Sequence, residues 1–117
     1  MELFREDFHK RKVDAESIRR YISNHYVSVT LEQTADHFHY NSAYLSRYIR
    51  THFQKSFMEL VTELKIDQAR EYLRNTDKHI VVIALLVGYD SADHFSRMFR
   101  KTTGMSPAEF RRQNRKA

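Results

Sequence analysis

The sequence predicts an all-α protein with seven helices. Its 117 residues include only two glycines and one proline, so few tight turns are expected. Three segments carry the capping-box pattern, a serine or threonine followed three residues later by glutamine or glutamate, and they begin at Thr30, Ser56 and Ser106. The apolar run 80–87 could be a buried strand, but no convincing second strand could pair with it. We therefore predict a helix there.

Apolar residues at intervals of three and four define the remaining helices. Asp14 is expected to cap the first helix, and Gly88 and Gly104 suit left-handed residues at helix ends. The helix predicted for residues 57–74 would be roughly 27 Å long, enough to act as a rigid spacer. The predicted helices begin near residues 14, 30, 42, 57, 80, 91 and 106.

The charge balance indicates a polyanionic partner. Twenty Lys and Arg residues against 15 Asp and Glu residues give a net charge of +5, which makes nucleic acid the first candidate. The absence of cysteine excludes a disulfide scaffold and fits a reducing compartment, so we expect a cytoplasmic location. The longest apolar run, 80–87, is too short to span a bilayer, and no membrane partner is predicted.

The chain contains an internal repeat at an offset of 50 residues. Residues 44–50 align with 94–100, and residues 55–60 with 105–110, without a gap. Each copy combines a short helix, a tight connection and a second helix that bears Ser-Arg and a further Arg one turn later, which is typical of a helix-turn-helix. The identical pairs are Ser46/Ser96, Arg47/Arg97, Arg50/Arg100, Ser56/Ser106 and Glu59/Glu109.

The repeat predicts four segments along the chain. Residues 1–12 form a lead-in or linker, 13–55 a first helix-turn-helix unit, 56–75 a long linker helix, and 76–117 a second unit with a basic tail. Adjacent turns on one face of DNA lie about 34 Å apart, a distance that two units on a helical spacer could match. One chain could then read two neighbouring major grooves.

The second helix of each unit is the candidate reader of DNA. Arg47 and Arg97 have small polar neighbours, and arginine in a major groove can donate two hydrogen bonds to guanine. Arg50 and Arg100 are predicted to contact phosphate, with an ion pair to an acidic residue as the structural alternative. The remaining candidates are inferred from position, and base contact or surface filler stays open for them. The full set is Ser42, Ala43, Ser46, Arg47, Arg50, Ala92, Asp93, Ser96, Arg97 and Arg100.

With these residues in view, the chain resembles the double helix-turn-helix DNA-binding domain of the AraC/XylS family of bacterial transcription regulators, over about residues 13–112. The resemblance implies homeodomain-like subunits and activation or repression at promoters, with double-stranded promoter DNA as partner. It also implies RNA polymerase as a further partner and an N-terminal sensory or dimerisation domain, so we favour a fragment of a longer regulator over a stand-alone member. The matching residues are Tyr44, Leu45, Ser46, Arg47, Ala69 through Leu73, Ile83, Ala84, Val87, Gly88, Tyr89, Phe95, Ser96, Arg97, Phe99, Arg100, Lys101, Gly104, Ser106, Pro107, Phe110 and Arg111.

Some positions depart from the family pattern. Gln54 stands where the family often has glycine, and Leu86 stands where a polar residue is common. We favour a buried helix face for Leu86, with an apolar spot that faces a partner as the alternative. Asp93 would repel phosphate, although it could accept a hydrogen bond from cytosine N4, which leaves the first unit as the stronger determinant of specificity.

Other classes of function find little support. His37 and His39 lack a third ligand at recognisable spacing, so no metal or other cofactor is predicted. No triad or pair of acids indicates an enzyme. The alternative that stays open is a helical protein-interaction module whose basic face does not read DNA, and the salt dependence of DNA binding would distinguish the two.

Overall fold

A computed structural model describes residues 14–115, and this part of the chain consists of seven α-helices without a strand. The predicted fold class is confirmed, and so is the helix in the apolar run that begins at residue 80. The lead-in predicted for residues 1–12 lies outside the described residues. The helices are α1 (Ala15–His25), α2 (Leu31–Phe38), α3 (Ser42–Phe53), α4 (Phe57–Asn75), α5 (Ile80–Leu86), α6 (Ala92–Thr103) and α7 (Pro107–Asn114).

Side-chain caps explain where most helices begin. Helices α2, α4 and α7 start with complete capping boxes, in which the hydroxyl of Thr30, Ser56 or Ser106 accepts a hydrogen bond from the backbone three residues on. The glutamine or glutamate at that position accepts one from the capping residue in return. Asp14, as predicted, caps α1 by accepting from the Ser17 N–H at 2.9 Å. A cap of this kind contributes about 1 kcal/mol.

Two apolar cores lie at opposite ends of α4. Its first half supplies Phe57, Leu60 and Val61 to a core shared with α1, α2 and α3. Its second half supplies three further residues to a core shared with α5, α6 and α7, where the rings of Phe95 and Phe99 lie 5.7 Å apart. The second-half residues are Ile66, Ala69 and Leu73. The two helix-turn-helix units are therefore joined by a helix that belongs to both cores, while the exact boundaries at 13–55, 56–75 and 76–117 stay predictions.

An arginine fastens the last helix to the end of α4. The side chain of Arg111 donates from Nε to the Leu73 carbonyl at 3.2 Å and from Nη2 to the Thr76 carbonyl at 3.1 Å. The carbonyl groups at a helix C-terminus lack partners within the helix, and a cation stabilises them. Arg111 thereby holds α7 against α4.

The predicted burial of Leu86 is wrong. Leu86 is 39% exposed and Leu85 is 58% exposed, whereas Ile83 and Ala84 are fully buried. In a helix each residue turns by about 100°, so the side of α5 that contains Ile83, Ala84 and Val87 cannot include Leu86. A helix that packs on one side only leaves the rest of its apolar residues in solvent.

Candidate nucleic-acid interface

Helix α3 carries an exposed stripe opposite its buried side. Leu45 and Ile49 are fully buried in the first core. Ala43, Ser46, Arg47 and Arg50 are all exposed. Their spacing of three and four residues places them on one face of the helix. Four of the five residues predicted for this unit therefore lie together.

Helix α6 repeats the arrangement in the second unit. Phe95 and Phe99 are fully buried, in the places that Leu45 and Ile49 take in α3. Four predicted residues share the opposite face; Ser96 among them is half-buried and the others are exposed. They are Asp93, Ser96, Arg97 and Arg100. We call these four and their counterparts in α3 the polar stripes.

Ser42 and Ala92 do not lie in the polar stripes. Both are half-buried first residues of their helices. At about 100° per residue, each sits between its polar stripe and the buried face. A side chain there could reach DNA only at the edge of an interface.

The two leading arginines are available for a ligand. Within residues 14–115, the side chains of Arg47 and Arg97 form no hydrogen bond or ion pair, and both are exposed. A guanidinium group with no protein partner has its donors free for a base edge or a phosphate.

The second arginine of each stripe lies near an acidic cap residue. Arg100 Nη1 is 4.0 Å from Glu109 Oε1. In the first unit, the pKa of Glu59 is lowered mainly by the hydrogen bond from the backbone N–H of Ser56, and the charge of Arg50 adds to this effect. Because an exposed ion pair is weak, Arg100 can exchange Glu109 for a phosphate, and Arg50 has no ion pair to break within residues 14–115.

The turn before α3 and the turn before α6 share a backbone hydrogen bond between equivalent residues. The N–H of Tyr40 donates to the Ala35 carbonyl at 2.9 Å, and the N–H of Tyr89 donates to the Ala84 carbonyl at 2.9 Å. These pairs are offset by 49 residues, not 50, because Asp90 is an additional residue before α6. The sequence comparison missed this part of the repeat, although the Ala and Tyr pairs could have signalled it.

Two histidines considered as metal ligands take structural positions instead. The ring of His37 stacks on that of Tyr21 with centroids 4.3 Å apart, and His39 ends α2 with a φ of 64°. In the part of the chain that the structure describes, no group of three His, Asp or Glu side chains could hold a metal ion. None of the helices between residues 14 and 115 is long and apolar enough to cross a membrane.

Comparison with known proteins agrees with this geometry. A family model described as a helix-turn-helix domain matches residues 34–113. The C-terminal domain of AraT, a response regulator from Geobacillus stearothermophilus, is 36% identical with a TM-score of 0.82, covering 87% of this chain and 86% of that one. The chain belongs to the AraC/XylS family. It is therefore a helix-turn-helix DNA-binding domain of a transcription regulator, with bacterial relatives.

Two other relatives place the matched region within a longer regulator and within a domain solved with DNA. The melibiose operon regulatory protein of Escherichia coli is 32% identical over 89 residues, which are 76% of this chain and 30% of that regulator. The DNA-binding domain of AdpA, a global transcriptional factor, was solved in complex with a target DNA. It is 19% identical to this chain and shares its fold with a TM-score of 0.78, over 84% of this chain and 89% of the AdpA domain. The chain spans about a third of the length of curated AraC/XylS relatives.

Proposed function

We propose that α3 and α6 enter two adjacent major grooves on one face of double-stranded promoter DNA. The observation that carries this proposal is the occurrence of the same exposed stripe, Ser-Arg and a further Arg, on two helices whose units share α4. The 19 residues of α4 span about 28 Å at 1.5 Å per residue. Together with the width of the units, this length suits neighbouring grooves about 34 Å apart.

Each stripe supplies two kinds of contact. We assign base reading to Arg47 and Arg97, which have no protein partner in the described part of the chain and can each donate twice to guanine. Arg50 and Arg100 would bind phosphate in exchange for their acidic neighbours. The serines between them are small enough to permit close approach to the groove.

The two stripes differ at one place, so the proposed site is asymmetric. Ala43 in α3 corresponds to Asp93 in α6. An alanine methyl group can contact the methyl group of thymine, whereas a carboxylate can accept a hydrogen bond from cytosine N4 and is repelled by phosphate. Unlike two identical subunits, this chain has no need of a palindrome.

Selection of bound fragments from a random DNA pool tests the proposal directly. We expect a selected site with two unlike halves about one helical turn apart. On that site Arg47→Ala should lower discrimination at one position by about 1–3 kcal/mol, whereas Arg50→Ala should weaken all sequences alike. Arg20→Ala, at an exposed arginine of α1, is the matched control for lost charge. If Arg47→Ala leaves affinity and base preference unchanged, the groove assignment of α3 is wrong.

A protein-interaction module is the second candidate, and the exposed side of α5 favours it. Val81, Val82, Leu85 and Leu86 are 39–58% exposed on that short helix. Salt separates the candidates, because affinity for DNA should fall with a log–log slope of about −0.9 for each phosphate contact. Binding that is indifferent to DNA sequence, with a shallow slope, would favour the second candidate.

We include RNA polymerase and a separate sensory or dimerisation domain among the proposed partners. The greater length of the AraC/XylS relatives supports the additional domain. We place the activity in the cytoplasm, where bacterial promoters lie, and propose that this domain acts by binding without catalysis. Transcription from a promoter that carries the selected site, measured with and without the chain, shows whether polymerase responds.

A further inference from the structure

We propose that a contact between the turn after α1 and the turn after α5 fixes the angle between the two reading helices, and that Gly88 is the positioning residue that permits it. The inference rests on the two-groove reading proposed above. It adds to that reading a determinant of the spacing between the two half-sites.

The contact brings backbone of the first unit against backbone of the second. A Cβ atom added at Gly88 would lie closer than 3.0 Å to the carbonyl oxygen of Val27, a separation that real Cβ atoms do not adopt. Val27 lies in the turn between α1 and α2, and Gly88 in the turn between α5 and α6. The obstructing atom is backbone, so it cannot swing aside as the end of a side chain could. Only glycine allows the two turns to approach so closely.

Two side chains reinforce the junction. Lys65 of α4 donates from Nζ to the Gly88 carbonyl at 3.2 Å, and Nζ lies 4.9 Å from the centroid of the Tyr89 ring. Burial lowers the pKa of Lys65, and the charge of Asp90 opposes this shift. On the other side, the half-buried ring of Tyr26 packs against the core of the second unit. Elements from both units and from α4 thus meet at one place.

Both the backbone conformation of Gly88 and its close neighbour favour glycine, and other left-handed residues of the chain help to separate the two effects. In the first unit His39 takes the left-handed position that Gly88 takes in the second, with φ values of 64° and 101°. Gly104 is also left-handed, with a φ of 87°, and nothing lies within 4 Å of its added Cβ. Gly88 differs from both because another unit lies against it. Glycine at residue 88 therefore satisfies a φ that other residues rarely adopt and also a close contact that Gly104 does not make.

A change at the junction would alter the half-site spacing at which α3 and α6 can both bind DNA. To restore ordinary van der Waals contact at 3.4 Å or more, a Cβ at residue 88 must push the two turns apart. A shift of one base pair moves a half-site by about 3.4 Å and rotates it by about 35°. A rotation between the units would therefore displace α3 relative to α6 in the same sense as a change of half-site spacing does.

The test compares Gly88→Ala with Gly104→Ala in the full chain. Both substitutions place a Cβ at a positive φ, but only the first obstructs Val27. Affinity is measured for the selected site with its spacer changed by one or two base pairs in each direction. Gly88→Ala should lose about 10-fold at the original spacer, the cost of one bidentate base contact, and its optimum should shift or broaden. Gly104→Ala should keep the original optimum. Identical spacing profiles for the two variants would overturn the inference.

Two further measurements keep the outcomes separate. Residual dipolar couplings of the protein without DNA report the angle between α3 and α6; an angle unchanged in Gly88→Ala refutes the junction whatever happens on DNA. If wild-type protein shows no spacer preference, the two-groove function fails and the couplings still decide the junction. If Gly88→Ala does not fold, Lys65→Met is the second variant, because it removes the hydrogen bond to the Gly88 carbonyl without adding an atom near Val27. We expect the angle between α3 and α6 to vary more widely in this variant. An angle between α3 and α6 that is as well defined as in the wild-type protein counts against the inference.

Discussion

Replacing Gln54 with glycine should stabilise the domain. Gln54 ends α3 in the left-handed conformation, with φ 55° and ψ 28°. That conformation costs a non-glycine residue about 1–2 kcal/mol, and glycine would remove this cost. The greater freedom of glycine in the unfolded chain would offset about 0.4–1 kcal/mol of the stabilisation. The exposed hydrogen bond from Gln54 Nε2 to the Thr51 carbonyl, at 3.0 Å, would also be lost. We therefore expect the free energy of unfolding to rise by about 0.5–1 kcal/mol.

Urea and thermal unfolding of the two variants at this position provide the assay. A gain of this size should raise the Tm by about 2–6 °C in a domain of about 100 residues. Gln54→Ala removes the same hydrogen bond but keeps the positive φ, so it should gain nothing. The reciprocal change Gly104→Gln, at the open corresponding turn, should be destabilising. If Gln54→Gly is no more stable than Gln54→Ala, the left-handed conformation of Gln54 does not lower the free energy of unfolding.

Two further predictions concern acid stability and the tie between α7 and α4. The pKa values of Glu59 and Glu109 lie below the usual 4.5, chiefly because each accepts a hydrogen bond from a backbone N–H. Their stabilisation is complete above pH 4.5 and is lost as the pH falls through the lowered pKa; replacing both with glutamine, which can still accept, should flatten the acid side of the stability–pH profile from urea unfolding. Arg111→Ala should lower the free energy of unfolding by about 1–3 kcal/mol, because two carbonyls lose a charged donor. The exposed Arg112→Ala is its control, and equal losses would contradict the assigned role.

Local chemistry explains why the helices could be predicted from the sequence. A capping box needs two residues three apart, such as Thr30 and Gln33, and its hydrogen bonds form within one turn. Burial on α5 could not be predicted in the same way, because an all-apolar helix has no polar face to show which side packs. Leu86 and Ile83 have similar hydropathy, and only the position of α4, α6 and their core decides that one is exposed and the other buried.

The polar stripes could be inferred because they recur, but the junction between the units could not. Arg47 and Arg97 stand at the same place in two copies of one pattern, and repetition is visible in the sequence. The approach of Gly88 to Val27 joins residues far apart in the chain and involves a backbone carbonyl, which no sequence pattern reveals. A left-handed conformation at Gly88 could be predicted from the sequence, but its contact with the Val27 carbonyl could be seen only in the fold.

The turns that precede α3 and α6 are equivalent, but they differ in the residue that takes the left-handed conformation. His39 shows that α3 can follow a left-handed residue that carries a side chain. The same turn in the second unit has Gly88, where the first unit's Val27 leaves no room for one. Two units that bound DNA independently would not need a close contact between their backbones. On the two-groove reading proposed above, the close approach at Gly88 couples the two polar stripes, so that the protein would set the separation of the half-sites before DNA is bound.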